Sequence, residues 1–397
     1  MFGTTSPKAR GSSMSFWQLF KHELMLVVSN RALMLTVVGG LCLYAFLYPR
    51  PYLAQSPREQ SIVIINQDNS AISRRLERMV DASPLLEVDQ SVASLEEAIT
   101  QIRDGHVGGL LFIPKNFYRD LRLGSSPTLA FAGDASYFLI YGNVIEGLNL
   151  VSNDLAKQIK LQRLSSEGIP ISPANDNIQA FSANNQAVFN SHQGYLDYVI
   201  PAVFLIILQQ TLLIAVVLHS CSPLSRKSAL SVDSSVKLVL VRTLIFTLLY
   251  VLMASFYQGF VLQHYDIHRW ASAGQLLQLQ LPYFLAIIGL SMCVASILNN
   301  GHNAMIIGLL TSLPIVFSSG FIWPIHSMPT MVNAIAELIP ARSMVLANLK
   351  LNQQGASLSQ ITNHVQMLWL LAIGYLILGY LMTHWRKIRD QKLAASK

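Results

Sequence analysis

Residues 318–343 read SSGFIWPIHSMPTMVNAIAELIPARS. The stretch begins as the continuation of an apolar run, then meets Pro324, Pro329 and Pro340. Trp323 suits a membrane–water interface, so a span reaching it ends there, and Pro324 keeps it from continuing. Ser327 or Thr330 is placed to cap a following helix, and proline is tolerated in a first turn. Met331, Val332, Ile335, Leu338 and Ile339 then recur at helical spacing, with Asn333 and Glu337 on the other side, until Pro340 ends the helix. About ten helical residues cannot cross a bilayer core, which needs about 20. Segment 324–340 is therefore expected to dip back or to lie at the outer surface, because irregular backbone at that depth is tolerated only where protein or water covers it.

Composition supports a membrane setting. Of 397 residues, 52% are hydrophobic and only 12% charged, against roughly 25% charged in a soluble domain; mean hydropathy is +0.41. The net charge of +7 does not point to nucleic acid, because Lys and Arg gather beside apolar segments, as membrane topology requires. The three cysteines, Cys42, Cys221 and Cys293, lie in or next to apolar runs, an odd count that forms no disulfide framework.

Six stretches are long enough to span as helices: 30–48, 198–220, 238–262, 277–298, 304–323 and 365–385. The uncharged run Ala32 to Tyr48 is longer than the core of a cleaved signal peptide and reads as a retained anchor. Basic residues flank the ends: Lys8, Arg10, Lys21 and Arg31 before the first span, Arg226, Lys227, Lys237 and Arg242 around the loop after the second, and Arg386, Lys387, Arg389, Lys392 and Lys397 after the last. The loop 263–276 holds only Arg269. The positive-inside rule then puts both termini in the cytoplasm and residues 49–197 outside.

That outside region has a domain's pattern. SIVIIN (61–66), PLLEV (84–88), VGGLLFIP (107–114) and PTLAFAG (127–133) read as strands. AISRRLERMV (71–80) and SLEEAITQIRDG (94–105) carry apolar residues at helical spacing. Strands alternating with helices predict an α/β domain with a mixed or parallel sheet. A longer helix over 136–166 leads to the Asn/Gln-rich PANDNIQAFSANNQ (173–186) and back to the membrane. In the loop Asp68-Asn69-Ser70 a capping role for the next helix outweighs a ligand site.

Motifs for chemistry are sparse. No G-x-x-x-x-G-K-[ST] occurs, so the chain has no Walker A cradle for nucleotide phosphates. None of the six apolar cores holds Asp or Glu, whereas proton-driven carriers keep ionisable groups there. His264 and His268 flank Asp266 in a short loop where Tyr265 and Trp270 suit the interface, and no metal site is assigned. Gln209 and Gln210 lie mid-span and seek partners, as helix–helix contacts or as lining of a pathway. Gly39-Gly40 and Gly289 permit close helix packing. SFWQLFKHELMLVV (15–28) reads as a basic amphipathic helix lying in the interface.

Several pieces resemble the ABC type-2 exporter permeases of bacteria, in their long form with an extracytoplasmic domain between the first two spans. They are IINQDNSAISRRLERMVDAS (64–83), EEAITQIRDG (96–105), GGLLFIPKNFYRDLRLG (108–124), FAGDAS (131–136) and the opening segment. In the last, small-Gly-Phe, Pro, Met-Pro and Ile-Pro recur in order, and the likeness covers nearly the whole chain. It implies a six-helix permease subunit of the bacterial inner membrane that exports a drug, lipid or other amphiphile by alternating access. ATP and Mg would be held by a separate ATPase subunit, with no cofactor on this chain. A second permease copy or a paralogous permease completes a dimer, surrounded by membrane lipids. A periplasmic membrane-fusion protein and outer-membrane channel are further expected partners. The resemblance assigns Phe16, Trp17, Phe20 and Glu23, in a connecting helix, and Arg226 and Lys227, in a coupling loop, to the ATPase contact. It assigns Gly320, Pro324, Met328, Pro329 and Pro340 to an outer gate. The coupling loop HSCSPLSRKSALSVDSSVKL (219–238) departs from the family pattern, lacking its Glu-rich and Gly-Thr elements. A gradient-driven transporter and a non-transporting receptor or assembly factor are the competing readings.

Overall fold

A computed structural model describes residues 14–53, 58–166, 189, 194–232, 234–298 and 300–395. The Asn/Gln-rich stretch 173–186, the basic residues Lys8 and Arg10, and Lys397 lie outside the described residues. The chain divides into two compact units, Met1–Leu53 with Gly194–Lys397, and Ala54–Gln193.

The first helix, α1 (Phe16–Ser29), buries Leu19, Glu23 and Val27, one residue per turn on a single face. Asn30 breaks it by turning extended, and its side chain accepts from Leu33 N–H at 3.2 Å to start the next helix. That helix, α2 (Arg31–Tyr52), is long and apolar enough to cross a membrane and contains a π-turn over Leu35–Gly40.

The second unit holds a four-stranded sheet in the order β2-β1-β3-β4. β1 (Gln60–Asn66) runs parallel to β2 (Leu86–Ser91) and β3 (Gly109–Ile113), and β4 (Ala130–Gly133) pairs antiparallel with β3. Between them lie α3 (Ala71–Asp81), α4 (Leu95–Arg103) and α5 (Phe117–Arg122), followed by α6 (Phe138–Ser166). Successive residues of β1 feed opposite faces. Ile62 and Ile64 join Leu76 and Val80 of α3 and Val144 and Leu148 of α6. Val63 and Ile65 pack with Ala98 of α4 and Val107. Covering both faces explains the uninterrupted apolar run of β1. Ser70 caps α3, accepting from Ser73 N–H at 3.2 Å, while Asn66 Oδ1 accepts from Asp68 and Asn69 N–H.

The chain re-enters the first unit with α7 (Leu196–Cys221), buried along nearly its whole length and therefore the centre of this bundle. Then come the short α8 (Pro223–Ser231), α9 (Ser235–His264) with a π-turn over Phe256–Val261, and α10 (Ala273–Ile297). The last elements are α11 (Asn303–Ser318), α12 (Thr330–Glu337), α13 (Pro340–Asn348) and α14 (Thr362–Ala395). Among the described residues, α2, α7, α9, α10 and α14 are the five helices long and apolar enough to span a bilayer.

Four boundaries differ from the sequence reading. α11 has 16 residues, about 24 Å at 1.5 Å per residue, and stops at Ser318 rather than near Trp323. Gly320, with φ +90°, turns the chain four residues before Pro324 reaches it. Pro340 does not end a helix but opens one, at the first turn of α13, where its missing N–H costs nothing. α12 ends at Glu337, and neither Ser327 nor Thr330 caps it; Pro329 occupies that position. The basic stretch from Arg386 is the helical continuation of α14 rather than a separate tail.

Candidate functional site

Two groups of buried polar side chains stand out in the membrane unit. The first surrounds Glu23. α7 ends at Cys221 because Ser222 turns extended and Pro223 begins α8; Ser222 Oγ accepts from Ser225 N–H at 3.3 Å. The reversal brings His219, Ser225 and Ser228 to the buried face of α1. Glu23 Oε2 accepts from Arg242 Nε at 2.9 Å and lies 2.7 Å from His219 Nε2. Its Oε1 accepts from Ser228 Oγ at 2.6 Å and Arg242 Nη2 at 3.3 Å. Arg242 Nη2 also donates to the Ser225 carbonyl at 3.0 Å. Glu23 and His219 are at most 1% exposed. Burial pushes the Glu23 carboxyl up, but the Arg242 guanidinium and the His219 contact outweigh it and hold the group well below the usual carboxylate range.

This cluster joins α1, the end of α7, α8 and α9 into one body. Two further bonds extend it: Lys237 Nζ donates to the Met14 carbonyl at 2.6 Å, and Lys387 Nζ of α14 to the Val232 carbonyl. The N-terminal helix, the 219–238 turn and the C-terminal part of α14 therefore meet at one end of the bundle.

The residues assigned to ATPase contact divide between two sides. Glu23 faces inward with partners inside its own chain. Trp17 is 64% exposed, with Phe16 and Phe20 half-buried and edge-on to its ring at 6.2 and 5.6 Å. Lys227 is exposed and Arg226 half-buried. The signal for this cluster was in the sequence: Arg242 is a cation inside an apolar run, which demands a counter-charge, and Glu23 is the sole acidic residue of the first 53.

The second group supports the segment between α11 and α13. A Cβ on Gly320 would lie 2.9 Å from Ile325 Cγ1 and 3.2 Å from Leu346, at a φ that only glycine adopts freely. Pro324 precedes a 3-10 turn, Ile325–Ser327, and Met328-Pro329 runs extended into α12. Side chains from α7, α13 and α14 meet polar groups along this segment. Tyr198 of α7 donates to the Phe321 carbonyl. Tyr375 of α14 donates to Leu338 O at 2.8 Å. Gln209 of α7 accepts from Ala341 N–H at 2.8 Å, meeting one of the donors that the first turn of α13 leaves open. Arg342, itself 5% exposed, holds the Asn333 carbonyl at 3.1 Å and the Asn333 side chain.

Gln209 is thus committed to α13, and Gln210 Nε2 reaches Thr311 Oγ1 of α11 at 3.3 Å. Both amides bridge helices in this conformation. Met328, Pro329 and Trp323 line, with Pro314, Phe317 and Ile335, an apolar hollow of about 450 Å³ between α11 and α12. Tyr198, Arg342 and Tyr375 escaped the sequence reading, since nothing local marks which tyrosine will meet a distant carbonyl. His264 stacks on Phe260 and His268 meets Trp270 edge-on, so the two rings have aromatic partners.

A search of curated proteins gives no match. A family model described as ABC-2 family transporter protein matches residues 31–381, which takes in α2, the sheet unit, the Gly320–Pro340 segment and most of α14. The chain is therefore a multi-pass membrane protein of the permease kind and belongs to the ABC-2 transporter family.

Proposed function

We propose that this chain is the transmembrane subunit of an ATP-driven exporter that moves an amphiphilic substrate out of the bacterial inner membrane or cytoplasm. The observation that carries the reading is the Glu23–Arg242–His219 cluster. It makes α1 and α8 move as one body with the ends of α7 and α9, so a push delivered to the end bearing Trp17 and Lys227 reaches the spans without being lost in a loose loop. Membership of the ABC-2 family implies an ATPase partner, and this end is where it docks, in the cytoplasm, against Trp17, Phe16, Phe20, Arg226 and Lys227. ATP binding favours the closed ATPase pair, and only that differential affinity can shift the permease between its two states. α11 completes six crossings, the unit 54–193 lies outside, and two such subunits, identical or paralogous, enclose one path.

The Gly320–Pro340 segment is the outer gate of that path. Its backbone is irregular and braced by Tyr198, Gln209, Arg342 and Tyr375, as irregular backbone at membrane depth requires. An outer unit of this size is also suited to pass substrate to a periplasmic membrane-fusion protein and outer-membrane channel.

The test is transport into inverted vesicles that hold the chain and its ATPase. Gly320→Ala and Pro329→Ala are expected to lower substrate uptake at least tenfold while the ATPase still co-purifies and its basal hydrolysis persists. Equal loss of transport, insertion and ATPase binding would make the segment merely structural. Uptake that survives ATP depletion but collapses with a protonophore would replace ATP by a gradient as the energy source.

A further inference from the structure

Where α9 passes α13, two carboxamides meet inside the bundle. Gln258 Nε2 donates to Asn348 Oδ1 at 3.3 Å, and the two residues are 6% and 0% exposed. Each amide has a second polar atom that this contact does not use. Gln258 Oε1 and Asn348 Nδ2 are both buried and have no partner among the described residues. In a membrane such atoms are costly, since lipid offers them nothing to bond.

The pair sits in irregular backbone on both sides. Gln258 belongs to the π-turn of α9, and Asn348 directly precedes a further π-turn, Leu349–Gln353. Turns of this kind inside helices gather at functional positions. Polar groups around the pair are committed elsewhere. Arg269 donates to the Gln258 carbonyl, and the Tyr257 hydroxyl donates to Leu41 O at 2.9 Å. The Asn352 carbonyl accepts from Trp270 N–H at 3.0 Å.

Beside the two amides lies a cavity with about 10 Å³ of accessible space, room for a single water. Gln258 and Asn348 are part of its wall. The rest is largely apolar, with Phe204 and Leu205 of α7 among the lining side chains. Every lining residue is itself buried, so the cavity is closed to lipid and to bulk solvent.

We propose that this cavity holds one buried water that bridges Gln258 and Asn348. The pairing of the amides selects the ligand. Two carboxamides joined by one hydrogen bond leave one donor and one acceptor, and this stays true if both amides are turned over. An anion needs donors alone, and a metal cation needs acceptors alone. A water accepts from one amide and donates to the other, and a larger hydroxyl compound exceeds the space. With Gln209 on Ala341 N–H at the opposite end, α13 is then tied twice. One tie is a direct bond to α7; the other, to α9, includes a molecule that can leave.

The experiment images the full chain in lipid nanodiscs by cryo-electron microscopy, at a resolution that shows ordered water. One isolated peak within hydrogen-bond distance of both side-chain amides is expected in the wild type. Asn348→Leu leaves Gln258 without a partner and should lower the melting temperature by several degrees. Gln258→Leu combined with Asn348→Leu removes both polar groups together; it should lose the peak and recover most of that melting temperature. An empty cavity in a wild-type map that resolves both amides would overturn the proposal, whatever the variants do. So would an extended density there, which marks a larger ligand, or a peak that persists in the double variant. Equal destabilisation of the single and double variants would reduce the amides to a packing contact and overturn it as well.

Discussion

A carboxylate as fully buried as Glu23 persists because its acceptor directions are met: two by Arg242, one by His219 and one by Ser228. An ionised carboxylate only accepts, so the His219 Nε2 beside it carries the hydrogen. Removing one partner of such a pair strands the other charge, at a cost of about 3–5 kcal/mol. Glu23→Gln should therefore lower the melting temperature of the detergent-purified chain clearly, and Glu23→Gln with Arg242→Gln should recover part of the loss. A double variant no better than the single would mean the cluster is held by packing alone. The sign with pH follows from the depressed carboxyl: its contribution is complete above the ordinary value of 4.5 and drains away as pH falls below it. Glu23→Gln should flatten that acid arm. Much of this was open to inference from sequence, since Leu19, Glu23 and Val27 fall on one stripe, but the partner residues 196 to 219 positions away were not.

At the level of elements, apolar length and proline spacing located the spans well and their ends less well. Length alone finds α2, α7, α9, α10 and α14, because about 20 apolar residues leave little choice. Proline is ambiguous at short range, since it closes one helix and opens another with equal ease; only tertiary support from Gln209 decides that Pro340 opens α13. The π-turns in α2 and α9 were hidden too; Tyr257, in the second, donates to the Leu41 carbonyl just beyond the first at 2.9 Å. Gly289, by contrast, is legible as a small residue in a span, and the structure gives it a reason. A Cβ there would stand 2.5 Å from the backbone of Tyr375 and Leu376, and one on Gly379 would stand 2.7 Å from the Gly289 carbonyl. α10 and α14 thus touch backbone to backbone, the contact that small residues permit in membranes. Gly39 and Gly40 make no comparable approach to another helix. Gly289→Ala must spread α10 from α14 and is expected to cost about 1–3 kcal/mol, as overpacking does. Thermal unfolding in one detergent would register this, and a variant as stable as wild type would mean the crossing is looser than drawn.

Across the whole molecule, two solvents shape two kinds of core. The membrane unit shows apolar side chains outward, such as Leu309 and Leu310 on α11 and Leu370 on α14, and saves its polar groups for paired positions inside. The 54–193 unit does the reverse, with charged residues on the outer faces of α3 and α4 and a sheet wrapped by its own helices. Its strands were readable because β1 and β3 are β-branched or leucine-rich runs bounded by turn formers, while strand order, which depends on crossovers, was not. A unit with its own two-sided core needs no help from lipid. Residues 54–193 expressed alone, without detergent, should therefore be soluble and melt in one cooperative transition seen by circular dichroism. Leu111 is fully buried in its main core, so Leu111→Ala should cost about 2–5 kcal/mol. For a unit of this size that is a drop of roughly 10 °C. A sloping melt in the wild-type fragment, unmoved by Leu111→Ala, would show that the sheet closes only when the membrane helices hold its two ends together.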